Sequence, residues 1–345
     1  MKVIQICGAQ HAGGAEAHFL RFCIEMNKCT DVTVVAVIRK GSWLETQLKK
    51  TDIKIYSLGF RTRFDFLTSW QIKKISIDEK ADVIQCWMNR AARLTPSSSY
   101  GFKVGRLGGY YSIKNYKSMD WLVGATDDIC QHIEQSGWDS NKISCIPNFV
   151  NLPNSNDSQS SNLLKESLGL TDKIVIITPA RLHTVKGLDT AIKALSLLPY
   201  NYTYIIVGQG PEEEALRLLT KKLNVQDRVI FTGWKDNITP FCYISDIFLV
   251  PSRHEPFGSV LLEAWSHKIP LVTSSSQGAL AITTPNVNCL MFKTDDPTDI
   301  SKKILQLNDE SHRSHLINEG HKTLIEKYTS DTVIRNYINL FSLRR

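Results

Sequence analysis

One stretch decides the fold that this sequence predicts: Ser252-Arg253-His254-Glu255-Pro256-Phe257-Gly258-Ser259-Val260-Leu261-Leu262-Glu263-Ala264-Trp265. The apolar run 246–251 that leads into it is typical of a buried strand. The run breaks at Pro256, and residues 259–267 then have the composition and apolar spacing of a helix. We therefore expect Glu255 in a strand-to-helix loop and Glu263 about two turns into the helix.

The start of this predicted helix suits an anion. Backbone N–H groups without helical acceptors and the positive end of the helix dipole attract negative charge there. One carboxylate precedes these groups and a second follows along the helix, which predicts a site for a polyol that carries phosphates. The residues that provide the N–H groups are Phe257, Gly258, Ser259 and Val260.

Glu255 and Glu263 stand eight residues apart with Phe257-Gly258 between them, and the strand-like run 269–273 follows. This arrangement resembles the motif of the retaining, nucleotide-sugar-dependent glycosyltransferases of family 4. The resemblance implies an α/β protein with the GT-B fold, in which two Rossmann-like, doubly wound domains face each other across a cleft. The alternative is an ordinary turn flanked by two solvated glutamates.

The length of 345 residues also favours two domains. Short apolar runs alternate with helical patterns, as in doubly wound parallel sheets. We predict an N-terminal domain at 1–150 that the resemblance assigns to the acceptor, a linker at 151–170 and a nucleotide-sugar domain at 171–330. We expect the C-terminal helix at 331–345 to pack back on the N-terminal domain.

The predicted elements follow from these patterns. Strands are predicted at 2–7, 32–38, 53–57, 83–86, 103–105, 121–124 and 143–146, and then at 173–178, 202–207, 228–231, 246–250 and 271–273. Helices of the first half are predicted at 15–27, 43–49, 66–77 and 127–136.

Composition indicates an ordinary globular protein, with 42% hydrophobic and 22% charged residues. Its apolar runs are shorter than the roughly 20 residues that a membrane helix needs. Residues 1–8 are typical of a first strand and a glycine loop rather than a signal peptide. The eight cysteines include no Cys-x-x-Cys pair. We therefore expect no disulfide framework and no zinc site, and we predict a cytoplasmic protein, either free or peripheral on the membrane face.

The formal net charge of +7 is unevenly distributed along the chain. Residues 1–150 carry 20 Lys and Arg against 14 Asp and Glu, whereas residues 151–345 carry 21 against 20. A basic first half indicates an anionic partner, such as a phosphorylated acceptor, an acidic membrane surface or nucleic acid. A basic face that only water contacts is an equally good interpretation.

The first glycine loop ends in Gly13-Gly14-Ala15-Glu16, directly before a predicted helix. Paired glycines allow backbone to approach a phosphate closely. The stretch matches the Gly-Gly-x-Glu that the family uses to close over the donor diphosphate, so the resemblance implies donor binding by Gly13 and Gly14. A tight turn without a ligand is the alternative.

Residues 105–117 combine glycines, tyrosines and cations between two strands. A tyrosine offers an apolar face and a hydroxyl to a sugar or acyl chain, and a cation suits an anionic group. We interpret Arg106, Tyr110 and Tyr111 as acceptor-binding residues, against the alternative of an aromatic surface loop. Many family members carry a histidine near the donor sugar in a comparable loop, and this sequence has none there.

Residues 61–74 mix aromatic and basic side chains. Such a segment could lie at a membrane interface. The spacing of Phe66, Leu67, Trp70 and Ile75 also fits a helix packed on the sheet, which is the interpretation we favour.

Arg181 and Lys186 follow a predicted strand and precede a helix. A guanidinium that forks onto oxygens and an ammonium can converge on one diphosphate and neutralise it as the glycosidic bond breaks. The pair matches the Arg-x4-Lys-Gly stretch of the family. Two surface cations at a strand end are the alternative.

The turn at Gly208-Gln209-Gly210 is a weak match to a dinucleotide fingerprint, since the third glycine is missing. An NAD-dependent oxidoreductase is therefore disfavoured. In the family a Gly-x-Gly turn lies near the nucleotide, and the turn that holds Trp234 meets the base. The resemblance thus implies donor binding by Gly208 and Trp234.

The sequence contains no Asp-x-Asp pair, the motif through which many sugar transferases hold a metal ion. We predict transfer without a metal or cofactor, from a nucleotide sugar to a glycan or lipid-linked acceptor, with Glu255 on the donor sugar and Glu263 on the ribose. The family retains anomeric configuration, and no side chain is assigned as a base. A nucleotide-sugar epimerase and a non-catalytic sugar- or nucleotide-binding protein are the alternatives, and we predict no nucleic-acid partner.

Overall fold

The computed structural model describes residues 1–62, 65–153 and 161–344. These residues form two compact units. The first unit combines residues 1–149 with the chain from Ser330 onward, and the second unit spans Val150–Thr329. Residues 154–160 of the predicted linker and Arg345 at the end of the predicted C-terminal helix lie outside the described residues.

The strands of the first unit are β1 (Lys2–Cys7), β2 (Thr33–Arg39), β3 (Lys54–Leu58), β4 (Val83–Trp87), β5 (Phe102–Leu107), β6 (Trp121–Gly124) and β7 (Ile143–Cys145). In the described chain they form one parallel sheet in the order β3-β2-β1-β4-β5-β6-β7. β1 lies between β2 and β4, with Val3 opposite Val34 and Val83. β4 is buried at every position, as expected of a strand with both faces covered.

The helices of the first unit up to Phe149 are α1 (Gly14–Asn27), α2 (Trp43–Leu48), α3 (Phe66–Asp78), α4 (Met88–Leu94) and α5 (Asp127–Gln135). Short 3-10 turns lie at Ile113–Tyr116 and Ser140–Lys142. α1 contributes Phe19 and Phe22 to a core that also includes Trp87 at the end of β4. Their ring edges contact the Trp87 ring at centroid distances of 5.4 and 5.2 Å.

The strands of the second unit are β8 (Ile174–Pro179), β9 (Tyr202–Val207), β10 (Val229–Phe231), β11 (Ile247–Val250), β12 (Leu271–Ser274) and β13 (Leu290–Phe292). Over the described residues they form a parallel sheet in the order β10-β9-β8-β11-β12-β13. β8 and β11 are direct neighbours although β9 and β10 separate them in the chain. A ligand site is therefore expected at the carboxyl ends of β8 and β11, where the strand order reverses.

The helices of the second unit are α6 (Ser161–Ser167), α7 (Leu188–Leu195), α8 (Glu213–Lys222), α9 (Thr239–Tyr243), α10 (Ser259–Ser266), α11 (Gln277–Ile282), α12 (Pro297–Gln306) and α13 (Glu310–Lys327). Further 3-10 turns lie at Thr184–Lys186 and Gln226–Arg228. α14 (Ser330–Phe341) belongs to the first unit and ends in a 3-10 turn at Ser342–Arg344. In α14, Tyr337 packs edge-on against Phe22 of α1 at 4.8 Å.

Among the elements without a counterpart in the sequence-based prediction are α4 in the first unit and β13 in the second. α4 follows β4 without an intervening loop, and its first residue, Met88, has a positive φ of 64°. β13 is only three residues long. Neither presents the start signals or the length on which a pattern-based prediction depends.

α3 corrects one expectation. Of the four apolar side chains that we expected to pack on the sheet, Ile75 is buried, whereas Phe66, Leu67 and Trp70 are exposed. The buried side of α3 carries Thr68, whose hydroxyl accepts a hydrogen bond from the buried Phe60 N–H at 3.2 Å. The aromatic side of the helix faces outward.

The described helices include none with the length and apolar character needed to cross a bilayer.

Candidate functional site

The predicted cations and glutamates of the second unit lie in loops at one edge of its sheet. Arg181 and Lys186 follow β8, and Glu255 follows β11. Because β8 and β11 are parallel neighbours, with Ile177 opposite Phe248, their carboxyl ends point the same way. The topology thus brings together residues that are far apart in the chain.

Lys186 and Glu255 form an ion pair. The Lys186 Nζ donates to Glu255 Oε2 at 2.5 Å, and the two side chains are 23% and 15% exposed. Ser252 Oγ also lies 3.5 Å from the same carboxylate oxygen. In this half-buried setting a charge-assisted hydrogen bond is stronger than at an open surface, so each group restricts the other.

Gly187 fixes the distance between the two loops. Its φ is +63°, and a Cβ at this position would lie 2.0 Å from the carbonyl oxygen of Pro251. No side chain fits there without moving backbone. The turn that carries Lys186 therefore packs directly against the end of β11.

Gly278 supports the Glu255 loop from another direction. Its N–H donates to the Glu255 carbonyl oxygen at 2.6 Å. A Cβ at Gly278 would lie 2.4 Å from the Phe257 carbonyl oxygen, which again is backbone that cannot rotate away. The start of α11 and the Glu255 loop thus form one packed assembly.

Arg253 is a residue to which sequence reasoning gave no role. Its Nε donates to Asp295 Oδ1 at 2.7 Å and its Nη2 to Asp189 Oδ2 at 2.8 Å, while Nη1 donates to the Thr184 carbonyl oxygen. Its backbone N–H donates to the Val185 carbonyl oxygen at 2.8 Å. Arg253 therefore ties the Glu255 loop to the turn before Lys186. The only signal in the sequence is its place two residues before Glu255.

The charges around Arg253 show how firmly it is held. The hydrogen bond that Arg253 donates to the Asp189 carboxylate raises the pKa of Arg253, although burial opposes the charge. Burial would raise the pKa of Asp189, but the hydrogen bond and charge of Arg253 outweigh it and the pKa is lowered. Both groups are thus held in their charged forms.

α10 begins where the sequence predicted an anion-binding helix start. Gly258 precedes it with φ +83° and ψ 54°, a left-handed conformation that favours glycine. Phe257 is buried, whereas Ser259 and Val260 are partly exposed. The positive end of the α10 dipole and the Glu255 carboxylate therefore lie at the same turn.

Glu263 lies in α10 and is partly exposed. Burial raises the pKa of the Cys242 thiol, and the nearby Glu263 carboxylate raises it further, which places this carboxylate beside α9. His267 Nδ1 lies 2.8 Å from the Glu263 carbonyl oxygen, so the His267 side chain contacts the last turn of α10.

Gly208 and Trp234 belong to the same edge of the sheet. A Cβ at Gly208 would lie 2.0 Å from the Ala180 carbonyl oxygen, so the β9 turn packs against the residue before Arg181. Gly208 also bridges Gly233, next to Trp234. The Trp234 ring is half exposed, and its Nε1 donates to Asp236 Oδ1 at 3.1 Å.

Arg181 is exposed and forms no ion pair with the described residues. It follows the residue against which the β9 turn packs, and it precedes the Lys186 turn. Three groups thus lie along one edge of the sheet: the exposed guanidinium of Arg181, the ion-paired ammonium of Lys186 and the half-exposed indole of Trp234. This combination can bind a phosphate group and stack on a planar ring.

Gly13 and Gly14 lie at the start of α1 in the first unit. Gly13 precedes the helix with φ −170°, an extended conformation open to any residue. A Cβ at Gly14 would meet nothing within 4 Å. The fold itself therefore does not require glycine at position 14.

The predicted acceptor-binding residues divide into two groups. Arg106 is 4% exposed: its Nε donates to Tyr337 Oη at 3.1 Å, Nη2 donates to Asn148 Oδ1, and its guanidinium lies 4.6 Å from the Trp87 ring centroid. Its charge is thus engaged inside the first unit, which argues against direct contact with an acceptor.

Tyr110 and Tyr111 are partly exposed. The Tyr110 hydroxyl donates to Asp128, and burial together with that carboxylate raises the pKa of Tyr110 to about 12. His132 supports the loop, since its Nε2 lies 3.0 Å from the Tyr111 carbonyl oxygen. The Tyr110 phenol, oriented by Asp128, and the partly exposed Tyr111 phenol beside it are suited to contact a sugar face.

Within the ranges that the structure describes, no three His, Cys, Asp or Glu side chains are arranged so that they could hold a metal ion.

Comparisons with known proteins agree on one family. A model described as glycosyl transferases group 1 matches residues 160–323. The lipopolysaccharide core biosynthesis glycosyltransferase LpsE of Rhizobium meliloti is 30% identical over 334 residues, covering 96% of each chain.

Solved structures resemble the chain over nearly its whole length. HepE of Anabaena in complex with UDP-glucose has a TM-score of 0.86 at 17% identity and covers 99% of both chains. WaaG, a glycosyltransferase involved in lipopolysaccharide biosynthesis, has a TM-score of 0.74 at 14% identity and covers 99% of both chains. These likenesses show the two-sheet GT-B fold.

Proposed function

Because the chain belongs to the glycosyl transferases of group 1, we propose that it moves a sugar from a nucleotide-diphosphate sugar to a glycan or lipid-linked acceptor of the cell envelope. Membership of this family makes it an enzyme of the hexosyltransferase type. The donor class, the acceptor class and the roles of individual residues are the parts that need testing.

The Lys186–Glu255 ion pair is the observation that carries this proposal. It joins a cation suited to a diphosphate and a carboxylate suited to sugar hydroxyls at a distance of 2.5 Å. In a nucleotide sugar, the diphosphate and the sugar are directly bonded to each other. Arg181 adds a second cation on the same edge, and Trp234 adds an aromatic face for the base.

The chemistry follows from charge. As the bond between the anomeric carbon and the diphosphate breaks, negative charge grows on the leaving phosphate, and Arg181, Lys186 and the start of α10 stabilise it. Glu255 accepts hydrogen bonds from donor-sugar hydroxyls, and Glu263 accepts them from the ribose. These side chains supply the charge that a metal ion supplies elsewhere, so we propose that transfer does not require a metal.

We further propose that anomeric configuration is retained. In such a transfer the leaving phosphate takes the proton of the attacking acceptor hydroxyl on the same face of the sugar. The hydroxyl oxygen bonds to the anomeric carbon as the carbon–phosphate-oxygen bond breaks. No carboxylate of this chain then needs to act as a base, which agrees with the engagement of Glu255 by Lys186.

The acceptor proposal rests on different support. LpsE and LpsD, which share 30% identity with this chain, are lipopolysaccharide core biosynthesis glycosyltransferases. The first half of the chain carries an excess of cations that suits an anionic glycolipid. Tyr110 and Tyr111, which are partly exposed, are the residues there that we assign to the acceptor. Eight unpaired cysteines fit a reducing compartment, so we propose that the enzyme acts in the cytoplasm.

Thermal melting of the purified protein against nucleoside diphosphates and their sugars, with and without a chelator, tests the donor proposal. A ligand at 100 times its Kd adds about 2.7 kcal/mol to stability, which is an easily measured shift. A shift with one base that survives the chelator supports metal-independent donor binding. No shift with any nucleotide overturns the proposal and favours a non-catalytic binding protein.

The same donor distinguishes transfer from epimerisation. Incubated without an acceptor, an epimerase converts its nucleotide sugar or releases free sugar at a rate typical of catalysis. A transferase turns over only when a glycan acceptor is added, and the proton spectrum of its product reports whether the anomeric configuration is retained. Inversion would refute the retaining mechanism while leaving transfer established.

A further inference from the structure

α3 has two faces, and the exposed one is the more apolar. The buried face holds Thr68, Ile72, Ile75 and Ser76. The exposed face holds Phe66, which is 78% exposed, Leu67 at 64%, Trp70 at 58% and Ile77 at 50%. At about 100° per residue these four project within roughly a third of the helix circumference. Surface helices normally have the opposite arrangement, with the apolar stripe toward the core.

Two lysines flank this apolar stripe. Lys73 and Lys74 follow Trp70 on the same side of the helix, and Lys74 Nζ lies 5.6 Å from the Trp70 ring centroid. The acid before the helix, Asp65, is occupied by capping, since it accepts hydrogen bonds from the Arg61 N–H and the Thr68 N–H. The face therefore presents large apolar groups and two lysines together, with the exposed Asp78 as the one acid of α3 at its C-terminal edge.

This composition favours one kind of partner. Lysine is depleted at the centre of protein–protein interfaces, so two lysines among four large apolar side chains fit a second protein poorly. At an anionic bilayer the same lysines contact lipid headgroups while the aromatic and aliphatic groups enter the headgroup and acyl boundary. The positive charge of residues 1–150 adds long-range attraction to such a surface.

We propose that this docking face, defined as Phe66, Leu67, Trp70, Lys73, Lys74 and Ile77, binds the surface of a lipid bilayer that contains anionic lipids. The apolar side chains supply the part of the binding that salt does not screen, and the lysines supply the part that salt weakens. The docking deepens the proposed function, on which its purpose rests, because it would hold the enzyme at the surface where a lipid-linked acceptor lies.

Vesicle flotation tests the docking face. The full-length protein is mixed with vesicles of phosphatidylcholine and phosphatidylglycerol, or of phosphatidylcholine alone, and the floated fraction is measured at low and high salt. We expect binding to the mixed vesicles only, with partial loss at high salt. Equal binding to neutral vesicles, or none to either, overturns the proposal.

Substitutions with matched controls locate the binding to α3. Phe66→Ser, Leu67→Ser and Trp70→Ser together should weaken vesicle binding by about 100-fold or more, since three large apolar groups are removed. The control removes three equally exposed apolar side chains from the second unit and should leave binding unchanged. It consists of Leu197→Ser, Tyr200→Ser and Leu218→Ser.

Charge reversal provides an independent test. Lys73→Glu with Lys74→Glu should weaken binding by about 30-fold or more, because each lysine near an anionic surface contributes about fivefold. Lys221→Glu with Lys222→Glu, an exposed pair on α8, is the control. Equal loss in both pairs would mean that total charge, and not this face, governs binding, and would overturn the proposal.

Two further outcomes separate this inference from its rivals. The nucleotide-induced melting shift should be the same in the triple α3 variant as in the parent chain. If the parent shows no shift but floats with vesicles, the donor proposal fails and the docking face stands. If the parent forms a dimer that the triple variant abolishes and neither floats, the face binds a second copy of the chain and the membrane proposal fails.

Discussion

Lys186 and Glu255 are 69 residues apart in the chain, yet their side chains form a single ion pair with an N–O distance of 2.5 Å. The pair couples a proposed phosphate contact to a proposed sugar contact. A change in one partner therefore alters the position and charge of the other. The two residues should behave as one catalytic unit rather than as two independent contributors.

A double-mutant cycle tests this coupling. We expect Lys186→Met and Glu255→Gln each to lower kcat/KM by about 100-fold, the scale of a lost charge contact to a developing oxyanion. The kcat/KM of the double variant should lie at most about tenfold below that of the poorer single variant, because both single substitutions disrupt the same unit. Losses that multiply to about 10,000-fold would contradict the coupling.

An ion pair on α8 serves as the control. Arg217 Nη2 lies 2.8 Å from Glu213 Oε1 in an i,i+4 arrangement on an exposed helix face. Arg217→Met with Glu213→Gln removes the same kinds of charge without touching the proposed site. Its kcat/KM should match that of the parent chain. Its melting temperature should fall only slightly, because such pairs contribute about 0.3–0.5 kcal/mol and the contact of Arg217 with the Phe231 ring about 0.5–1 kcal/mol.

Arg253 should act by holding the Glu255 loop rather than by contacting the donor. Arg253→Lys keeps the charge but cannot bridge Asp189, Asp295 and the Thr184 carbonyl oxygen at once. We expect kcat to fall by about tenfold while the nucleotide-induced melting shift is largely kept. Arg253→Gln should lose a similar amount of kcat. Full activity of the lysine variant would show that charge alone suffices.

Gly278→Ala should displace the Glu255 loop. The added Cβ would lie 2.4 Å from the Phe257 carbonyl oxygen and 2.6 Å from the Glu255 carbonyl oxygen. A shift of about 1 Å at a reacting centre lowers rates by about 100-fold, so kcat should fall by that order. Gly59→Ala is the control, because its Cβ would have only ordinary contacts of 3.4 Å or more. Normal turnover of Gly278→Ala would show that the loop accommodates the methyl group.

The local elements around the motif could be predicted because each has a local signal. Gly258 ends the loop in a left-handed conformation, and the apolar spacing after it predicts α10. The role of Arg253 and the Lys186–Glu255 pair could not be predicted, because they depend on β8 and β11 being neighbours. Periodicity also failed at α3, because the helix has apolar side chains on both sides and their spacing does not show which side packs inward.

Gly14→Ala separates a ligand requirement from a folding requirement. The structure leaves space for the methyl group, and glycine lowers helix stability relative to alanine. We therefore expect an unchanged or slightly higher melting temperature. If the Gly13–Gly14 backbone approaches the donor phosphates, the methyl group should weaken the nucleotide-sugar effect on melting by about tenfold in apparent Kd. Unchanged donor binding and turnover would show that the paired glycines form a tight turn and do not contact the donor.

Glu79 should make the stability of the first unit depend on acid pH. Its carboxylate accepts hydrogen bonds from Lys54 Nζ and Tyr56 Oη, both at 2.5 Å, and from Lys2 Nζ at 2.9 Å. The bonds from Lys54 and Tyr56 lower the pKa of Glu79 from 4.5 to about 2, against the effect of burial. Because the folded-state pKa is depressed, the stabilisation is complete above about pH 4.5 and is lost as the pH falls toward 2.

Glu79→Gln should therefore lower the free energy of unfolding by about 1–2 kcal/mol at neutral pH. The value is less than the full pKa shift implies, because Lys2 and Lys54 are exposed and screened by water. Urea unfolding of both proteins between pH 7 and pH 3 should show a difference that is constant down to about pH 4.5 and then shrinks. Glu213→Gln on the surface of α8 is the control and should show a small difference throughout. A Glu79→Gln difference that stays constant to pH 3 would mean that the Glu79 contacts do not depend on its charge.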